Sequence, residues 1–383
     1  MIKAIKKVKW NNFVNYIVVG AALIFFLNTR LTGQKVAMST QVLLQNMGIA
    51  MILAVSLNLV VGFLGELSLG HAGFMCVGAY LGGKVSALLV ENFGNGPVAL
   101  ILSVAVGGIA AAICGIVIGL PALRLKGDYL AIVTLAFGEI VKVIFQNALP
   151  EVFGGTLGLK TPKFSRHELY IYGFALLLVT LFVIQNLMRS RHGRAITAIR
   201  DNEIAARATG INITKYKLMA FTISAFFAGV AGVLFSYTQS TIQAEKFGYN
   251  YSIEILVMVV LGGMGNITGS IVSAGLITYL NTLLTTKLEG DSAVFKDMVY
   301  ALVLILIVIY RNAPALKGFR EKYNFRSFIG LFHRRKHDPA YVHDDEAAWD
   351  RVPTKINMDE LLSVDVSVDV SKSTLTPDKP RKE

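Results

Sequence analysis

Apolar residues fall along the chain in blocks separated by short polar connections: 13–28, 43–62, 67–89, 98–119, 129–147, 170–187, 217–237, 252–263, 267–286 and 296–310. A bilayer core about 30 Å thick takes roughly 20 helical residues to cross. In lipid the backbone must also satisfy its own hydrogen bonds. The pattern therefore predicts an all-α chain, a polytopic transmembrane helical bundle of about ten spans, the eighth of them short. Three parts follow: a basic segment 1–12, a transmembrane domain 13–310 interrupted by a polar loop 188–216, and a polar tail 311–383.

Composition agrees, since 54% of the residues are hydrophobic and only 16% charged, too apolar for a soluble domain of 383 residues. A net charge of +12 would suit nucleic acid, but Lys and Arg sit mainly in short loops and at the flanks of blocks. The positive-inside bias accounts for them without a nucleic-acid partner. With Lys3, Lys6, Lys7 and Lys9 inside, ten crossings put Arg124, Lys126, the seven basic residues from Arg189 to Lys217, and everything from Arg311 on that same side. Both termini are then cytoplasmic. No small-residue cleavage site follows the first block, which reads as a retained span.

The connection 148–168 falls outside, and its FGGTLGLKTPK stretch is rich in turn formers. A docking surface for an extracytoplasmic partner and an ordinary long connection are both open readings. The tail is basic to Lys336, carries nine acids from Asp338 to Asp369, and is expected to be disordered in the cytoplasm. His333, His337 and His343 are too loosely spaced for a metal site to be predicted. Cys76 and Cys114 lie inside apolar blocks, without a disulfide or metal role. GAYLGGKV from Gly78 imitates a phosphate-binding loop, but Val85 replaces the Mg²⁺-binding hydroxyl and no strand precedes it.

Glycine is frequent within the blocks. Gly78 and Gly82, Gly115 and Gly119, and Gly265 and Gly269 have the small-xxx-small spacing of close helix packing. Two tighter clusters, Gly62, Gly65, Gly70 and Gly73, and Gly262, Gly263 and Gly265, allow broken or re-entrant helices. They lie in opposite halves of the chain, as a weak repeat of about five spans would place them. Ionisable groups at membrane depth cost about 2.5–3.5 kcal/mol each. Glu66, Ser68, His71 and Glu139, with Gly262 and Gly265, are the candidate pathway residues. Glu139 and Lys142, at i and i+3, are expected to neutralise one another.

In the polar loop, Ala195, Ile196 and Ile199 form an apolar stripe while Arg194 and Arg200 stay polar, which predicts an amphipathic helix. Asp201 and Asn202 are N-cap types, Glu203 suits the positive end of a following helix, and Gly210 can end it. A helical hairpin and a solvated connecting loop both fit this pattern.

Glu203, Ala205, Ala206 and Gly210 follow E-x-A-A-x-x-x-G, which resembles the coupling loop of ABC importer permeases. The string GRAITAIRDNEIAARATGI, with ELSLGHAGFMCVGAY from Glu66, LRLKGDYLAIVTLAFGEI from Leu123 and LGGMGNITGS from Leu261, resembles the branched-chain amino acid permeases, the longer of their two membrane subunits. The four stretches cover most of 47–310 in the family's order. The tail beyond Phe332 exceeds the family's usual length, and Leu157 stands where a polar residue is commoner.

The resemblance implies a permease without enzymatic activity or cofactor of its own, in the bacterial cytoplasmic membrane. It implies a homologous second permease, two cytoplasmic ATPase subunits carrying ATP and Mg, and an extracytoplasmic amino-acid-binding protein. It assigns ATPase coupling to Arg200, Asp201, Asn202, Glu203, Ala205, Ala206 and Gly210. Urea or short-chain amides are the alternative cargo. The rivals of another class are a proton-coupled secondary transporter using Glu66, His71 and Glu139, and a Gly-rich channel.

Overall fold

The structure is a computed structural model; it describes residues 10–31, 37–94, 96–125, 127–148, 150–162 and 166–287, with positions 298, 302 and 305. Twelve α-helices occur among them: α1 (Trp10–Leu31), α2 (Met38–Asn58), α3 (His71–Phe93), α4 (Pro97–Ala122), α5 (Asp128–Asn147), α6 (Pro150–Phe153), α7 (Arg166–Arg189), α8 (Arg191–Asp201), α9 (Glu203–Ala208), α10 (Ile213–Thr238), α11 (Tyr249–Gly262) and α12 (Ile267–Lys287). One two-stranded antiparallel sheet pairs β1 (Leu159–Lys160) with β2 (Thr241–Ile242). It ties the 148–168 connection to the segment after α10.

Nine of the ten predicted blocks coincide with described helices. The tenth, 296–310, lies outside the described residues except at 298, 302 and 305, and so do the basic residues 1–9 and the tail from 306, with its three histidines. Six helices are long and apolar enough to cross a bilayer: α2 with its extension to Leu64, α3, α4, α7, α10 and α12. The expected count of about ten is therefore not reached by full-length spans among the described residues. The 14-residue α11 rises only about 21 Å, so the short eighth block does not cross by itself.

The centre of the bundle is α2, with Ile52, Leu53, Ala54, Val55 and Leu57 fully buried in contact with α7, α10 and α12. Beside it α3, α4 and α10 approach closely through small residues. A Cβ on Gly78 would fall on the backbone of Gly229, and one on Gly115 would press on Ala225. This is the close packing expected of Gly78 and Gly82, and of Gly115 and Gly119. Although Gly269 does pack closely on Gly262, Gly265 and Gly269 do not share a helix, because α12 starts only at Ile267 and Gly265 stands before it at φ +77°. The chain turns there instead of continuing as a helix.

The two glycine clusters meet. α2 runs on through a π-helical turn, Leu59–Leu64, and stops at Gly65, whose φ of +80° suits a residue without a Cβ. The amide of Gly265, between α11 and α12, donates to Asn58 Oδ1 at 2.9 Å, and Asn58 Nδ2 donates to Ser270 Oγ at 3.0 Å. A Cβ on Gly62 would collide with Asn58 Oδ1 and with the Gly265 amide. Two broken helices from opposite halves of the chain are thus pinned together by one buried asparagine.

Candidate functional site

Against this junction sits the polar loop, folded as the helix pair α8–α9. Ser190 caps α8, its Oγ accepting from the amides of His192 (3.1 Å) and Gly193 (3.5 Å). The stripe Ala195, Ile196 and Ile199 is buried, as its spacing predicted. Asn202 caps α9, accepting from Ala205 N at 3.0 Å, and Gly210 leaves the helix at φ +84°. Asp201 is not a cap: it is the last residue of α8, where it pairs with Arg200 at 2.8 Å. Among the buried positions of α9 is Ala206, whose carbonyl accepts from Ile211 N. A solvated, unpacked loop is therefore excluded, and the hairpin is a packed element.

Two polar links join the hairpin to the broken helices. Arg200 Nη1 donates to the carbonyl of Gly62 at 3.3 Å, and the stem of Arg200 covers Gly65, where a Cβ would lie 2.7 Å from Arg200 Cγ. Lys217, in the first turns of α10 and only 3% exposed, donates to Glu66 Oε1 at 2.5 Å and to Glu203 Oε2 at 3.3 Å. Glu203 Oε1 also accepts from Arg207 Nη2 at 3.2 Å. A lysine buried alone would be costly, whereas two facing carboxylates compensate its charge and fix three segments to one point. Lys217 thus links α9, the 65–70 loop and α10.

The predicted pathway residues divide. Glu66, Gly262 and Gly265 belong to this junction, with Gly262 backed directly onto Gly269 and Ser270. Ser68 is buried, and its hydroxyl has no hydrogen-bond partner among the described residues. His71 is buried with Nε2 2.9 Å from Ser56 Oγ, while Ser224 Oγ donates to the carbonyl of Ser56 at 2.6 Å. These contacts peg α2, α3 and α10 together.

Glu139 lies elsewhere. It pairs with Lys142, as expected, and also accepts from the amide of Tyr249 at 2.8 Å, capping the start of α11. The junction is at the other end of that 14-residue helix, about 20 Å away. Lys217 and Asn58 are the residues sequence reading passed over. The available signals were a lysine one turn inside an apolar helix and an asparagine amid the apolar run LAVSLNLVVGF.

The basic turn at Arg124 lies at the same end of the bundle, since Gly119 near the end of α4 packs on Leu218 near the start of α10. The basic connections gather on one side, and six full-length apolar helices make this a multi-pass membrane protein.

The family model described as branched-chain amino acid transport system / permease component matches residues 38–308. The high-affinity branched-chain amino acid transport system permease protein LivM of Escherichia coli is 38% identical over 73% of this chain and 70% of its own length. Its counterpart in Salmonella typhimurium is 37% identical over the same shares. The ribose import permease protein RbsC of Escherichia coli is 28% identical, over 70% of this chain and 84% of its own length. No solved structure matches the chain. With most of the bundle inside the match and over a third of the aligned positions identical to two permeases, the chain belongs to the family of branched-chain amino acid transport system permease components.

Proposed function

We propose that this chain is one membrane subunit of an ATP-driven importer for leucine, isoleucine and valine. The observation that carries the reading is the ion-paired bridge from Glu203 through Lys217 to Glu66, beside the Arg200 contact with Gly62. It gives an exposed helix pair a rigid route to the two broken helices of the bundle. In this reading α8 and α9 receive the thrust of two separate ATPase subunits. The second permease completes the pathway, and an extracytoplasmic binding protein delivers the amino acid. ATP and Mg are held by the ATPases, and this chain contributes no cofactor site.

The hairpin, the Arg124 turn and both termini face the cytoplasm of a bacterial plasma membrane. Residues Arg200, Asp201, Asn202, Glu203, Ala205, Ala206 and Gly210 form the coupling element. The pairing of Glu139 with Lys142 and the Tyr249 amide, and of Glu66 with Lys217, weighs against a proton relay through Glu66, His71 and Glu139. Gly210→Pro, which removes a left-handed turn, and Glu203→Lys, which puts a third cation beside Lys217 and Arg207, are expected to leave the chain in the membrane while uncoupling ATP hydrolysis from leucine uptake. Normal leucine uptake by both variants would overturn this mechanism.

A further inference from the structure

Among the described residues, α2, α10, α11 and α12 enclose a cavity of about 560 Å³ toward the end of the bundle away from the hairpin. Gln239, just past α10, and the exposed Lys246, in the turn before α11, stand at its outer rim. Ala50, Met258 and Thr278 mark its deepest extent along α2, α11 and α12. From that floor the three helices lead to one place. Asn58 follows Ala50 on α2, Gly262 follows Met258 on α11, and Ser270 precedes Thr278 on α12. At the helical rise these steps put the meeting of the two broken helices about 6–12 Å beneath the cavity.

We propose that this meeting point is the inner gate of the transport pathway, closed here beneath a chamber reached from the other side, and that Asn58 is the positioning residue that holds it shut. Asn58 is fully buried, and both ends of its amide are engaged by the opposing break, Oδ1 by the Gly265 amide and Nδ2 by Ser270 Oγ. A buried amide is costly unless paired, so this side chain favours the closed contact over an open one. Gly62 and Gly265 bring the two backbones together without an intervening side chain, and Arg200 covers the hairpin side through the Gly62 carbonyl. The gate strand of α2 is the π-helical turn Leu59–Leu64, a form of helix that recurs at functional sites. A seal made of two hydrogen bonds and glycine backbone can part without emptying a packed core, which interlocked apolar side chains could not do. The inference rests on the importer reading, which supplies the direction of transport.

The test uses the full transporter, with its second permease and ATPases, in proteoliposomes loaded with labelled leucine and sucrose and given no ATP. The unmodified protein should retain both solutes. Asn58→Ala, which frees both partners, is expected to release leucine about tenfold faster or more, and Ser270→Ala, which keeps the Gly265 link, about threefold faster. Sucrose should stay inside throughout. Assembled variants that hold leucine as tightly as the unmodified protein overturn the gate, even where ATP-driven uptake falls, because a merely structural asparagine gives no leak. Sucrose escaping with leucine also overturns it, since that marks a disordered bundle and not an opened pathway. If Asn58→Ala does not assemble, Ser270→Ala decides by the same two signs. An unmodified transporter that accumulates none of leucine, isoleucine and valine, when supplied with ATP and loaded binding protein, overturns the importer reading instead.

Discussion

Lys217 shows how one side chain can decide the behaviour of a whole junction. Its ammonium is almost wholly buried and is satisfied by carboxylates from the 65–70 loop and from α9. Removing the cation leaves two partly buried carboxylates facing each other, a change that costs about 3 kcal/mol in comparable pairs. Lys217→Met is therefore expected to lower the thermal midpoint of the purified protein by several degrees. Adding Glu66→Gln to that variant should recover part of the loss, because the uncompensated charge goes with it. Equal midpoints for Lys217→Met and the unmodified chain would show that the pair carries no load. Because the bridge is buried, the effect should persist in high salt, unlike that of the exposed Arg200–Asp201 pair.

Among the helices, the distinction lies between glycines that only occupy a helix and those that let two backbones touch. Gly62 belongs to the second kind, since any Cβ there would strike Asn58 and the Gly265 amide. Gly62→Ala is expected to break the contact between the broken helices and to abolish uptake. Gly173 on α7 has open space where a Cβ would go. Gly173→Ala should be neutral or add up to about 1 kcal/mol through helix propensity. Purified yield and thermal midpoint of the two variants, measured side by side, check the pair of expectations. A Gly62→Ala protein as stable and active as Gly173→Ala would mean that the two breaks do not work as one unit.

For the molecule as a whole, the question is where the energy for transport enters. A hairpin packed under broken helices suits thrust from a separate ATPase, whereas proton coupling needs titrating groups within reach of one another. The structure engages Glu139 with Lys142 and the Tyr249 amide, and Glu66 with Lys217, so each carboxylate already holds a fixed partner. Uptake of leucine into vesicles is thus expected to require internal ATP and to survive a protonophore. Uptake that ignores ATP and collapses with the proton gradient would return Glu66, His71 and Glu139 to the role of carriers. The exposed apolar face of α4, with Ile101, Ile109, Ile113 and Val117, fits a helix bordering lipid or another membrane subunit, where such residues cost nothing.

Local patterns were legible in the chain itself. Hydrophobic blocks located nine described helices, because crossing a bilayer demands a long apolar run whatever its neighbours. The caps of the hairpin could also be read, since Asn202 and Gly210 act on amides and dihedrals a few residues away, as could the i, i+3 pairing of Glu139 with Lys142. Asp201 was misassigned because two adjacent cap types compete for one position. The sequence alone determined the apolar helices and the amphipathic stripe of α8, and left open whether the polar loop packs as a hairpin. Tertiary structure decided that Lys217 meets Glu66 across 151 residues and that Asn58 meets Gly265 across 207. Helices and caps follow from interactions within a turn or two of the chain, whereas these pairings depend on which helices pack together, a choice no local spacing encodes.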